Sequence, residues 1–333
     1  MKTNHAYLLI LILCFSLPVL AQENREPTHE CFRLNQERVV RLKLVNQAPG
    51  PELFQTGFIG RHEWAGKQVF VRLPAMDIPY SIRINGFRFG SDPGSRFTAE
   101  YNLSPFLKEH ANTLQLELDL SGQEEGFVPS QKSVSAALLI RNAIHVRDLV
   151  TTCYPGAEEN KRLVRFHLFI KSYLSEKSLG RSIELLVESS EGEAIFNETR
   201  NLESHLAYGQ ETELIVDMSL ENPHFWIPGS PDLYGIQVSL KESGDALSEV
   251  VTSNFSIREF QVADSVLIFH GDTSKLRFAP NSFQLALPEL SDKEIIQSLS
   301  SKEFNAIKLA TPLPCETTRL LDQYGILILP DQE

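Results

Sequence analysis

From Val39 to about Val150 apolar and polar residues alternate in short runs separated by turn residues. Lys67-Gln-Val-Phe-Val-Arg-Leu73 and Thr113-Leu-Gln-Leu-Glu-Leu-Asp-Leu120 repeat with a period of two, which gives a strand one buried and one wet face. Tyr80-Ser-Ile-Arg-Ile84 ends at Asn85-Gly86, a pair that tolerates the positive φ of a tight turn, so a hairpin is predicted to return through Phe87-Arg-Phe89. Between them Asn102–Lys108 predicts a short helical turn, with Ser104 as its cap and Pro105 at the first helical position. Many short strands with this punctuation predict a jelly-roll sandwich over residues 22–150.

A second β series follows over residues 151–260, with runs at Leu163–Ile170, Ile183–Val187, Glu213–Asp217, Tyr234–Leu240 and Glu249–Ile257. Seven or so strands in roughly 100 residues predict an immunoglobulin-like sandwich. After Phe260 the pattern changes. A hairpin around His270-Gly271-Asp272 gives way to Ser291–Ser301, where Ser291 and Glu294 make a capping box and Ile295, Ile296 and Leu299 share a side. Ala306–Leu309, a helix near Cys315–Gln323 and Ile326–Leu329 then predict the start of a parallel α/β unit over residues 261–333. The fold class is therefore mainly β, with two sandwiches and a short α/β segment.

The first residues read as an export leader. Lys2 precedes the apolar run Ala6–Leu17, and Pro18-Val-Leu-Ala21 places small residues before the polar stretch at Gln22. The run falls short of the ~20 residues a membrane span needs. Residues 1–21 thus predict a cleaved signal peptide, an exported chain (periplasmic or secreted) and no membrane span after cleavage. The whole chain carries a net charge of −12, and removing Lys2 with the leader leaves 30 basic against 43 acidic residues, or −13. That balance disfavours polyanions, and no nucleic-acid partner is expected. Cys31, Cys153 and Cys315 remain at spacings that give neither a disulfide framework nor a metal pattern. His62, His145, His167 and His224 are equally scattered, and neither metal nor cofactor is expected.

The order of several segments resembles glycoside hydrolase family 2, the β-galactosidase, β-glucuronidase and β-mannosidase group. In the first region the resemblance rests on Trp64-Ala-Gly-Lys-Gln-Val-Phe-Val-Arg, on Ile84-Asn-Gly-Phe-Arg-Phe-Gly90, and on Phe97 through Tyr101-Asn-Leu-Ser-Pro-Phe-Leu107 leading to Asn112-Thr-Leu-Gln-Leu. The most specific match is Phe225-Trp-Ile-Pro-Gly-Ser-Pro-Asp-Leu-Tyr234, similar to the family's Leu-Trp-x-Pro-x-x-Pro-x-Leu-Tyr. Its two prolines fix an extended path, and Trp226 and Tyr234 are placed to pack on the sandwich. Ser253–Phe260, Phe304-Asn-Ala-Ile-Lys308 and Leu321-Asp-Gln-Tyr-Gly-Ile-Leu-Ile-Leu329 resemble the strand leading into the family's barrel, its Asn-Phe-Asn-Ala-Val-Arg strand and its Asp-x-Tyr-Gly helix end. The resemblance implies a sugar-binding jelly roll, an immunoglobulin-like domain and the opening of a (β/α) barrel, with O-glycosyl hydrolysis as the parent activity.

The departures point away from catalysis. Retaining hydrolysis needs two carboxyls about 5 Å apart. In the family both glutamates lie on barrel strands beyond the position of Glu333, and an eight-stranded barrel needs about 250 residues, so no catalytic residue is expected here. Where the family has Arg and then Ser-His, this chain has Lys308 and then Ala310-Thr311, and the family's Arg-Gly-x-Asn-x-His stretch has become Arg277-Phe-Ala-Pro-Asn281-Ser-Phe. Asn305 and Lys308 would stand at the functional end of a barrel strand. Trp64, with Tyr80 and Tyr101, offers ring faces to a sugar, against the plainer reading of core packing. Asn305, Lys308 and Trp64 are accordingly the candidate substrate-binding residues. Three functions are expected in order: a noncatalytic carbohydrate-associated protein with a glycan partner, a split glycosidase with a second chain or oligomer covering residues 261–333, and a protein-binding scaffold.

Overall fold

The computed structural model describes residues 25–26, 33–34, 38–47, 52–95, 98–124, 132–158, 160–174, 180–202, 206–242, 247–263, 266–269, 276–280, 283–284, 287, 290, 292–299, 303–309, 313 and 315–330. The leader expected at residues 1–21 lies outside them. Nine strands form one sheet in the order Arg25–Glu26, Ala99–Asn102, Lys67–Leu73, Ser133–Asn142, Arg38–Asn46, Leu53–Ile59, Ala111–Leu118, Tyr80–Ile84 and Phe87–Asp92. Arg38–Asn46 and Leu53–Ile59 share only the pairs Val45↔Gln55 and Asn46↔Phe54. The sheet folds over at this seam. Leu44, Val71 and Leu138 from one half and Phe54, Ile82 and Leu116 from the other belong to a single buried cluster.

Local sequence explains most of these elements. Asn85 and Gly86 take φ values of 53° and 86°, the turn that Ile84 and Phe87 close. The Asn85 side chain also ties the turn down: Nδ2 donates to Phe106 O at 3.0 Å, and Oδ1 accepts the Thr113 N–H at 3.0 Å. Ser104–Phe106 forms a single 3-10 turn with Pro105 in it, but Ser104 is not its cap. Asn102 Oδ1 accepts the Ser104 N–H at 2.9 Å, and the Ser104 hydroxyl accepts the Val69 N–H at 2.8 Å, because that backbone donor would otherwise stay unpaired.

The second sandwich packs a three-stranded sheet (Ile144–Pro155, Lys161–Ser172, Glu211–Glu221) on a five-stranded one (Ala194–Asn201, Ser182–Glu188, Tyr234–Lys241, Leu247–Phe255, Arg33–Leu34). Val164, Phe166, Leu168 and Ile170 point inward against Ile183, Leu185 and Val187, as the period of two requires. On the outer face Arg165 pairs with Asp217 at 2.7 Å and His167 with Glu213 at 2.6 Å, exposed contacts that add little stability. Ile144–Pro155 runs across the expected division at 150/151, and Arg33–Leu34 pairs with Leu247–Phe255, so the passage between the sheets falls at Ala143.

Lys67–Leu73 departs from the alternation predicted for it: Gln68, Val69, Phe70 and Val71 are all buried. Its second face meets the second sandwich, where Phe70 packs with Leu139 and Tyr173. Beside them Glu100, wholly buried, accepts Arg72 Nη2 at 2.6 Å and Arg141 Nη1 at 2.8 Å. Burial raises the pKa of Glu100, but the two guanidiniums outweigh it and hold the carboxyl below its usual range. His145 is buried with them. Its Nδ1 lies 2.9 Å from Asn142 O, so that nitrogen carries the hydrogen.

The last part follows the predicted grammar. Phe260–Ala263 and Val266–Phe269 pair as a hairpin, while the turn expected at His270–Asp272 and the Ser291 cap lie outside the described residues. In helix Asp292–Leu299, Ile295 and Leu299 are buried, whereas Ile296 is 36% exposed because one residue further round the helix faces away. Ala306–Leu309 pairs in parallel with Leu327–Pro330, and Phe278 bridges Ala306 in the same sense.

His145 supplies a pH test of the junction. Burial first, then Arg141, drives its pKa down from 6.5 to about 3. The folded state therefore refuses a proton that the unfolded chain accepts, and stability falls as pH drops below the unfolded value, by up to ~1.4 kcal/mol per pH unit. Urea unfolding is expected to lose that much more stability between pH 6.5 and about 5 in the wild type than in His145→Gln. Equal slopes in the two proteins would contradict a buried neutral imidazole.

Candidate functional site

The segment Phe225–Tyr234 begins as a loop sewn to the end of the second sandwich. Trp226 N donates to Ile257 O at 2.9 Å, and Ile227 and Ser230 close a small bridge. Pro228 and Pro231 hold the loop open between its two aromatics. Tyr234 enters the sandwich core, stacked on Phe255 with ring centres 5.1 Å apart, and its hydroxyl accepts the His224 N–H at 2.8 Å. Trp226 does not follow it. The indole is 0% exposed and packs in a separate cluster with Phe269, Ala306 and Leu327, all from the last part of the chain. The expectation that Trp226 packs on the sandwich is corrected here: it packs outward, onto the α/β segment.

Polar groups fix this contact from several sides. Trp226 Nε1 donates to Asp322 O at 3.0 Å. The Arg258 guanidinium lies 4.1 Å from the indole ring centre and pairs with the Asp322 carboxylate. Burial pushes the pKa of Asp322 up, against the opposing pull of Arg258. Gly229 N donates to Gly325 O at 2.8 Å. Gly325 has φ 72°, and a Cβ there would stand 2.9 Å from both Gly229 N and Pro231 Cδ, so only glycine fits. Trp226–Tyr234 and Leu321–Leu329, read separately in the sequence, are the two halves of one joint.

The candidate residues divide between two places. Asn305 is 3% exposed and belongs to this joint: its Oδ1 accepts the Arg277 N–H at 2.7 Å, and its carbonyl accepts the Leu327 N–H at 2.9 Å. Lys308 sits three residues on, with Nζ 5.3 Å from the Phe278 ring centre and its backbone N–H given to Gln284 Oε1 at 2.7 Å. Trp64 lies in the core of the first sandwich beside Phe58, with Tyr80 and Tyr101. Asn305 and Lys308 are brought together; Trp64 is not. Arg61, His62 and Glu63 form a solvated turn in which Arg61 pairs with Glu63 at 3.3 Å. Cys153 is a free thiol, raised to about 11 mainly by burial, and is poorly disposed to react. Among the described residues no group of three His, Cys, Asp or Glu could hold a metal, and no helix is long and apolar enough to cross a membrane.

The Arg72–Glu100–Arg141 cluster and the role of Arg258 went unread in the sequence. Each depends on cross-strand or cross-segment register, such as the pairing of Arg72 with Glu100, that no local spacing reveals.

Comparison with known proteins gives this architecture a class. Residues 145–258 match the model of glycosyl hydrolases family 2, and the chain is similar to members of that family over part of their length. Within it, the chain is 22% identical over 296 residues to a β-galactosidase of Clostridium acetobutylicum, covering 84% of this chain and 31% of the relative. It is 25% identical over 197 residues to a β-galactosidase large subunit of Lactobacillus acidophilus, covering 57% of this chain and 30% of the relative. A Bacteroides uniformis β-glucuronidase shares the fold with a TM-score of 0.69 at 20% identity, over 84% of this chain and 36% of that one. The chain spans 22% to 31% of the first three curated relatives.

Trp226→Ala is expected to cost about 3–5 kcal/mol, the usual effect of deleting a buried aromatic. The loss should appear first in the α/β segment: amide exchange at Ala306–Leu309 should accelerate far more than at Leu163–Ile170. Gly325→Ala should reproduce that pattern, since the new Cβ meets backbone that cannot yield. Uniform acceleration in both regions would show that the indole supports the sandwich instead.

Proposed function

We propose that this chain is an exported, noncatalytic, carbohydrate-associated member of family 2, in which the sandwiches carry glycan recognition and the α/β segment is a docked structural piece. What supports this most is the way the acids at the two interfaces, Asp322 and Glu100, are used. Retaining hydrolysis needs two carboxyls about 5 Å apart and free to act. Asp322, the acid at the joint, is held by Arg258, and Glu100 is clamped between Arg72 and Arg141. Asn305 and Lys308 are engaged with Arg277, Gln284 and Phe278.

A second reading has its own support. Among the described residues Leu327–Pro330 pairs on one side only, with Ala306–Leu309, and several relatives are named as large subunits. A parallel strand of apolar residues is built to be covered on both faces. In this reading the rest of a barrel, from another chain, completes a β-galactosidase-type enzyme on residues 261–333.

Assays on nitrophenyl β-galactoside and β-glucuronide separate the two. The noncatalytic reading predicts no turnover above a blank from the purified chain, together with binding on a glycan array. Turnover that survives repeated purification would contradict it. Silence on the array would leave a protein-binding scaffold in its place.

A further inference from the structure

A cleft of about 420 Å³ opens between the two sandwiches, away from the joint at Trp226. One wall comes from the second sandwich and carries Tyr173 and Tyr208. Tyr208 is 55% exposed, yet its position is held firmly. Its turn is closed by Gln210 N to Ala207 O at 3.0 Å and Ala207 N to Gln210 Oε1 at 3.0 Å, and it is anchored by Gly209 N to Ser172 O at 2.7 Å. The Tyr208 ring stands edge-on to Tyr173 with centres 5.4 Å apart. Tyr173 is stacked in turn on His145 and packed against Phe70, both buried. An exposed aromatic backed by a buried stack has already lost its conformational freedom, the condition for binding at low entropic cost.

The facing wall, from the first sandwich, offers donors. Gln68 Oε1 accepts Asn102 Nδ2 at 3.1 Å, which fixes the amide, while Gln68 Nε2 has no partner among the described residues. The Ser104 hydroxyl accepts the Val69 N–H and keeps its own hydrogen to give. Lys67 makes no ion pair among the described residues. The cleft is thus lined by one preorganised ring and by three residues that carry donors, in a volume within the roughly 300–1,000 Å³ of small-molecule sites.

A purely apolar ligand would leave the Gln68 and Ser104 donors unpaired. A polyanion is opposed by the chain's net charge of −12. A pyranose has an apolar C–H face and an acceptor-rich edge, and it satisfies both walls. We infer that the cleft between the sandwiches is a saccharide site, with Tyr208 as its platform, Lys67, Gln68 and Ser104 as its donors, and a preference for sugars carrying a carboxylate. This rests on the carbohydrate-associated reading above and gives it a location.

Calorimetric titration of the full chain with cellobiose, lactose and digalacturonate tests it. The expected result is binding led by digalacturonate, weakened at least about tenfold in Tyr208→Ala and within about threefold of wild type in Tyr208→Phe. Lys67→Ala, on an exposed side chain, should erase the preference for the acidic sugar and leave the melting temperature unchanged. If a sugar binds and neither Tyr208→Ala nor Lys67→Ala alters its affinity, this cleft is not the site, although the carbohydrate reading stands. If the wild type binds none of the three, both the site and that reading fall.

Discussion

The structure depends on one buried indole that belongs to neither of the cores it joins. Trp226 leaves the second sandwich on a proline-fixed loop and is enclosed by Phe269, Ala306 and Leu327. An indole buried with its N–H paired contributes several kcal/mol relative to exposure. The N–H goes to the backbone carbonyl of Asp322, so the indole also dictates where helix Cys315–Gln323 must end. Arg258 closes the contact by covering the ring and holding the Asp322 side chain.

This constraint organises the last part of the chain. Among the described residues, the two parallel strands and the helices Asp292–Leu299 and Cys315–Gln323 bury little surface by themselves, and a unit of that size is marginal alone. Its own cluster, around Ile295, Ile307 and Leu321, covers one face of the strands. The other face, with Ala306 and Leu327, is completed by Trp226. The same layering recurs between the sandwiches, where Phe70 turns the outer face of one strand into an interface and a buried Glu100 satisfies two arginines. Charges so placed cost desolvation and are retained only with full pairing, so they fix orientation more than they add stability.

Much of this was legible in the residues. The period of two in Leu163–Ile170 gave its inward face, Asn85-Gly86 gave its turn, and the apolar runs Ala306–Leu309 and Ile326–Leu329 gave parallel strands, because each signal is local. The failures share a physical cause. Lys67–Leu73 was read as wet on one face because nothing in its own sequence reveals the second sandwich that covers it. Ser104 was read as a cap because the unpaired Val69 N–H that claims its hydroxyl lies 35 residues away. The candidate site was legible as two motifs and illegible as one contact: Trp226 and Gly325 are conspicuous separately, while their mutual fit depends on the register of the loop against the helix end. Tyr208 carried no signal beyond a tyrosine before a glycine.

Native-state hydrogen exchange on the full chain tests the joint most directly. The amides of Trp226, Gly229, Ala306 and Leu327 are bonded respectively to the carbonyls of Ile257, Gly325, Arg277 and Asn305. Of these four, Gly229 to Gly325 crosses between the loop and the α/β segment, and the others flank the contact on one side or the other. If Trp226 couples the loop to the segment, the four amides share one opening free energy, below that of Leu163–Ile170, and move together with denaturant. Gly229 and Leu327 opening at energies more than about 1 kcal/mol apart would mean that the loop and the α/β segment unfold independently, and the account of a single joint would be wrong.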